Sequence, residues 1–201
     1  LEATVNTRIL LAGVLGAVAM FLWSSIAHMA LPLGEAGIKQ IDHEVPLLSS
    51  MQATLKAPGF YMFPNMPPGN DMTQTQKLLA GGPSGLLIYF PKRDFSFGQL
   101  LGYEFLTELA QALVAVYLLS LTSAGSFAGR LGFYALLGLI AAIATNVSYL
   151  NWYGFPLTYT LAYMFTGWVG YLCAGLVAAA MKIGGPKARV TAAAEGIPTH
   201  V

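Results

Sequence analysis

The chain has 201 residues, of which 56% are hydrophobic and only 9% are charged, and its formal net charge is +1. Soluble domains carry about 25% charged residues, so this composition points to a membrane protein. The near-neutral charge gives no reason to expect a nucleic-acid partner, and no basic cluster or RNP-like aromatic pattern occurs. The single cysteine, Cys173, excludes a disulfide framework or a thiolate zinc site and is read as a small packing residue.

The first apolar run, ILLAGVLGAVAMFLWSSIAHMAL (Ile9–Leu31), contains no Asp, Glu, Lys or Arg. A helix needs about 20 residues to cross a bilayer, and this run is long enough. Arg8 precedes it, as a basic residue would precede a secretory signal. A signal's apolar region, however, is about 7–15 residues long and ends at a small-residue cleavage site. This run is longer and has no such site, so an uncleaved anchor is expected.

Residues 32–97 are too many for a mere connector. HEVPLLSSMQATLKAPGF predicts a short helix with Pro46 in its first turn and Pro58–Gly59 as its stop. NDMTQTQKLLAGG predicts a second, capped by Asp71 and ended by Gly81–Gly82. Pro58, Pro64, Pro67 and Pro68 predict rigid, extended backbone between them. SGLLIYFPKRD predicts a short strand, or an extended apolar stretch at the membrane surface. Together these predict a partly helical cap over the outer face of a bundle. No internal or inverted repeat occurs, which argues against a conventional transporter.

Three further apolar runs cover about 98–121, 127–150 and 157–181. Lipid gives the backbone no hydrogen-bond partner, and these runs lack the alternation of a barrel strand, so each predicts a helix. The expected fold is an all-α integral membrane protein with four transmembrane helices. It forms a single membrane domain over 1–201, with the cap at 32–97 and a tail at 182–201. Arg8, Arg130, Lys182, Lys187 and Arg189 flank one side of the spans, whereas the connection NWYGFP is uncharged. By the positive-inside rule both termini are cytoplasmic and the 32–97 connection is extracytoplasmic. Tyr149, Trp152 and Tyr153 fit an interfacial aromatic belt.

The second span holds acids: YEFLTELAQALVAVYLL (103–119) places Glu104, Glu108 and Gln111 on one helix face. At 1.5 Å per residue, Glu104 lies roughly 9 Å and Glu108 roughly 15 Å into a helix starting near Gly98. A charge at the bilayer centre costs at least about 2.5–3.5 kcal/mol. The stripe is therefore expected to face other helices or a wet cavity, with the paired carboxyls favouring retention of a proton. Groups at matching depth are His28 with Ser24 and Ser25, then Thr145, Asn146 and Tyr149, then Thr158, Tyr159 and Tyr163.

Two readings of this cluster stand side by side. In one, the acids are structural and hydrogen-bond to neighbouring helices, each bond worth roughly 0.6 kcal/mol. In the other, Glu104, Glu108 and His28 hold a metal ion or pass a proton, although the E-x-x-H pairing of di-iron bundles is missing. His28 could also be the one axial ligand of a haem or chlorophyll; a single membrane histidine excludes a bis-His haem within one chain. The NVS triplet at Asn146 matches a glycosylation pattern but lies inside a span and is read as chance.

Small residues predict close helix packing. Gly13 and Ala17, Gly138 and Ala142, and Gly170 and Ala174 are small-xxx-small pairs, and Gly167 and Gly175 extend the last. The bundle itself is the simplest occupant of these faces; a neighbouring subunit, a chlorophyll, a carotenoid or a lipid at the helix surface is the alternative. The tail after Met181 has few bulky apolar residues and is not expected to order without a docked partner.

The stretch WSSIAHMALPLGEAGI (23–38), followed by PGFYMFP (58–64) and three further spans, resembles an uncharacterised bacterial family of four-helix inner-membrane proteins. The resemblance is one of layout and implies the bacterial inner membrane but no activity. By type the chain is also similar to accessory subunits of respiratory or photosynthetic membrane complexes. No G-x-S-x-G elbow, P-loop, H-E-x-x-H or GxGxxG pattern occurs. The expected function is a non-catalytic accessory or assembly subunit of a larger membrane complex, in contact with the bilayer and with other membrane subunits. The alternative is a cofactor-binding or ion- or proton-handling protein built on Glu104, Glu108 and His28.

Overall fold

A computed structural model describes residues 7–185; the tail expectation for 186–201 falls outside the described residues. The elements in chain order are α1 (Thr7–Met29), α2 (Glu44–Thr54), β1 (Gly59–Phe63), a 3-10 turn (Pro68–Asn70), α3 (Met72–Gly81), β2 (Gly85–Tyr89), α4 (Phe97–Ser120), α5 (Phe127–Tyr153) and α6 (Leu157–Ala180). The protein is mostly helical. Three helices, α1, α5 and α6, are long and apolar enough to cross a membrane. α4 has 24 residues, as many as α6, but carries Glu104, Glu108, Gln99 and Gln111, and it does not join those three.

The described residues fall into two compact units. The first contains residues 7–24, 104–138 and 168–185. Its core is built largely from alanine: Ala17, Ala112, Ala115, Ala174 and Ala178 are buried, together with Met20, Val116, Leu119 and Tyr134. Small side chains bring backbones together, and the glycines show how closely. A Cβ at Gly13 would lie 2.6 Å from the Leu113 side chain, and one at Gly16 3.3 Å from that of Ala174. Likewise a Cβ at Gly138 would meet Tyr171 at 2.7 Å, and one at Gly175 would meet Tyr134 at 2.7 Å. In this unit, then, α1 packs on α4 and on α6, and α6 packs on α5. The contacts at Gly170 are looser, 3.8 Å from Met20 and Trp23; a Cβ at Gly167, in the second unit, would meet nothing within 4 Å among the described residues.

The end of α6 explains where the basic residues go. Ile183 N–H donates to Ala178 and Lys182 N–H to Ala179, both at 3.0 Å, with Lys182 at φ 53°. This is a Schellman ending with a lysine at the left-handed position. Carbonyls left over beyond it are met by arginines. Arg130 is buried and donates through Nε to Ile183 O at 2.6 Å and through Nη2 to Gly184 O at 3.2 Å. Arg8 donates to the carbonyl of Met181. Arg8, Arg130 and Lys182 thus gather at one end of this unit.

The second unit contains residues 25–103 and 139–167. α2 forms where Pro46 and the apolar spacing place it, but it ends at Thr54, before Pro58–Gly59, and buries no side chain. α3 is capped as its sequence predicts, with Asp71 Oδ1 accepting from Thr73 N at 2.9 Å and Gln74 N at 3.1 Å. The proline-rich middle conceals a strand: β1 lies between Pro58 and Pro64 and pairs antiparallel with β2, Phe60 opposite Ile88 and Met62 opposite Leu86. After α1 the chain turns back on itself, so that Gly34 lies against His28 and Gly37, at φ +79°, against the backbone of Tyr159.

Candidate functional site

Glu108 is the most unusual group in the first unit. It is only 6% exposed, on an α4 face shared with buried Ala112, Ala115 and Leu119. Its carboxyl is hydrogen-bonded to the Ser24 side chain of α1 and lies near the charge of Glu104. The Ser24 hydroxyl also points to the Phe21 carbonyl, at 3.2 Å. The second carboxyl oxygen, Oε2, is buried without a hydrogen-bond partner among the described residues. Between the same two helices Phe21 of α1 and Phe105 of α4 meet edge to face, 5.6 Å between centroids. A buried acid held by one serine is under-satisfied, since a carboxyl offers two oxygens to donors.

The rest of the expected cluster is distributed. Glu104 is exposed and Gln111 half-buried, both on α4 in the same unit as Glu108. His28, Asn146 and Tyr149 belong to the second unit, each with its own neighbours. Asn146 donates to Ala142 O at 3.0 Å, one turn back on its own helix. His28 meets Tyr163 edge to face, at 6.0 Å between centroids. Among the described residues no three His, Cys, Asp or Glu side chains gather as a metal site would need.

His28 and Tyr149 are instead members of one aromatic run, His28 at its start and Tyr149 between Phe155 and Tyr153. From Tyr163 it continues to Tyr159 (4.3 Å, stacked), Phe155 (5.5 Å), Tyr149 (5.3 Å) and Tyr153 (5.8 Å). The signal was present in the sequence: Tyr149 and Tyr153, then Tyr159 and Tyr163, are pairs four apart on either side of the α5–α6 turn, so each pair shares a helix face. Such offset and edge-to-face pairs add about 0.5–1.5 kcal/mol each beyond burial. They stiffen the turn, and the arrangement holds no nucleophile–base pair.

The β1–β2 ribbon has an exposed apolar face. Phe60 and Ile88, directly opposite one another, are 62% and 69% exposed, and Met62 beside them is exposed as well. Tyr61 and Tyr89 occupy the other face, in contact at 6.5 Å, with Tyr89 buried. Comparison with family models, with curated proteins and with solved structures finds no match to this chain.

Proposed function

We propose that the chain is a non-catalytic accessory or assembly subunit of a larger membrane complex in the bacterial inner membrane. In this reading α4 is the fourth span, both termini are cytoplasmic, and residues 32–97 form an extracytoplasmic cap. The gathering of Arg8, Arg130 and Lys182 at one end supports that orientation through the positive-inside rule. A fourth span is supported by the burial of Glu108, which keeps its carboxyl from any surface lipid would cover.

The observation that carries the accessory role is the apolar outer face of the β1–β2 ribbon. Phe60 and Ile88 lie outside the three apolar spans and yet are exposed. A contiguous apolar patch on a polar part of a protein marks an interaction surface, and a two-stranded sheet is at best marginally stable alone. A neighbouring subunit covering this face meets both demands. The test is gentle detergent extraction followed by mass measurement of the intact particle. Larger subunits that co-purify, and are lost in Phe60→Ser/Ile88→Ser, support the role; a chain that extracts alone overturns it.

A second reading is favoured by one observation, the unpartnered Oε2 of Glu108. A proton- or ion-handling protein would keep such a group ready for a transient partner. Glu104→Gln/Glu108→Gln separates the two readings. Intact assembly with lost proton or ion movement supports handling, whereas altered assembly supports the structural role.

A further inference from the structure

The second unit contains a cleft of about 610 Å³, within the range of about 300–1,000 Å³ typical of small-molecule sites. Its walls are Met62, Met66, Leu78, Leu79 and Leu86, from the strands, α3 and the segment after β1. Trp152 and Tyr153, the last two residues of α5, complete it. No Asp, Glu, Lys, Arg or His lines it. Of its polar groups, the Thr75 hydroxyl is already engaged, donating to Asp71 O at 2.8 Å.

Three properties narrow the occupant. The uncharged wall gives no counter-charge to an ionic ligand, and a charged group without a partner is penalised heavily in such a setting. The wall is mostly apolar and includes Met62 and Met66, whose flexible side chains adapt to chains of variable shape. And α5 is one of the helices apolar enough to cross a membrane, so its terminal Trp152, 78% exposed, stands where indoles mark the headgroup level. In the membrane reading, the cleft opens beside the end of that helix, at the bilayer surface.

We infer that this cleft takes up an acyl chain of a membrane phospholipid. The inference rests on the membrane reading above. The chain enters beside Trp152 and lies against α3 and the β1–β2 ribbon, tying the 32–97 connection to the bilayer.

The test uses the full chain reconstituted in vesicles of phosphatidylethanolamine and phosphatidylglycerol, with a trace of phosphatidylethanolamine carrying a diazirine at the end of one acyl chain. After irradiation, adducts are mapped by peptide mass. Adducts are expected on residues 62–66 and 78–86 as well as on α5 and α6. Leu79→Lys, which sets a charge in the wall, and Ser84→Trp, which fills space from an exposed position, should each lower the cleft adducts about tenfold, as a binding loss of about 1.4 kcal/mol would. Adducts on α5 and α6 should persist in both variants. Cleft segments without adducts, or with adducts unchanged in both variants, would overturn the inference while leaving the membrane reading intact. Absence of adducts from α5 and α6 too would overturn both.

Discussion

Arg130 Nε donates to the carbonyl of Ile183 at 2.6 Å, joining the start of α5 to the chain just past α6. The guanidinium is buried, and its Nη2 also reaches Gly184 O at 3.2 Å. A hydrogen bond from a charged group contributes about 1.5–3 kcal/mol. Arg130→Ala should therefore destabilise the first unit by about 3–6 kcal/mol, given two such bonds. Arg130→Lys should recover only part of this, because an ammonium lacks the fork that serves two carbonyls at once. Thermal unfolding of the detergent-solubilised protein measures both; equal stability of Arg130→Ala and the parent would refute the assignment.

Glycine contacts predict a graded series. Gly138→Val and Gly175→Val drive methyl groups into Tyr171 and Tyr134, where even a Cβ falls at 2.7 Å. Overpacking of this kind costs about 1–3 kcal/mol. Gly167→Ala meets open space and removes a helix-destabilising glycine, so its stability should equal or exceed the parent's. The same unfolding assay ranks the three, and a destabilising Gly167→Ala would contradict the packing described.

Glu108 and Ser24 make a pair whose members should respond in opposite ways. Ser24→Ala removes the hydrogen bond to a carboxyl whose Oε2 already has no partner among the described residues. Leaving a buried polar group unmatched costs about 1–3 kcal/mol. Ser24→Ala/Glu108→Leu removes both groups and should be close to neutral, since an apolar pair has nothing to satisfy. A double variant less stable than Ser24→Ala alone would show that Glu108 has a further structural partner.

Much of this architecture was legible in the sequence, and the reasons differ by element. The four long helices begin and end within a few residues of the apolar runs, and α1, α5 and α6 are long and apolar enough to cross a membrane, where a helix satisfies its own backbone. Asp71 was readable as a cap because its reach is local, two and three residues ahead. β1 was not, since its partner β2 lies beyond a 3-10 turn and α3, and no local pattern in PGFYMFP specifies that pairing. For the site, the i and i+4 rule correctly placed Glu104 and Glu108 as neighbours on α4 but could not set their burial, which depends on what α1 brings alongside. His28, Asn146 and Tyr149 shared an expected depth with the acids, and depth alone does not select neighbours. Each found partners close in sequence or across the α5–α6 turn.

The cap of α3 offers a local test. Asp71 accepts two of the first-turn N–H groups, and its own carbonyl receives Thr75 N at 2.9 Å. Asp71→Ala should cost about 1 kcal/mol. Hydrogen exchange should speed across residues 72–81 and remain unchanged in α5 and α6. Asp71→Asn, which retains an acceptor, should restore most of the protection.

Gly37 and Gly69 separate backbone strain from packing. Both hold positive φ, +79° and +76°, where a side chain costs roughly 1–2 kcal/mol. Around Gly69 there is open space, so Gly69→Ala should show that strain alone. Around Gly37 a Cβ would meet Tyr159 N at 2.7 Å and the Tyr159 side chain at 2.9 Å. Backbone cannot step aside as a flexible side chain can, so Gly37→Ala must shift the 34–38 turn off the start of α6. Gly37→Ala should thus destabilise the second unit clearly more than Gly69→Ala, and hydrogen exchange should rise at residues 157–163 in the first variant only. Equal effects of the two substitutions would mean that the turn after α1 does not rest on Tyr159, and that the GEAG segment of the 23–38 stretch serves backbone conformation alone.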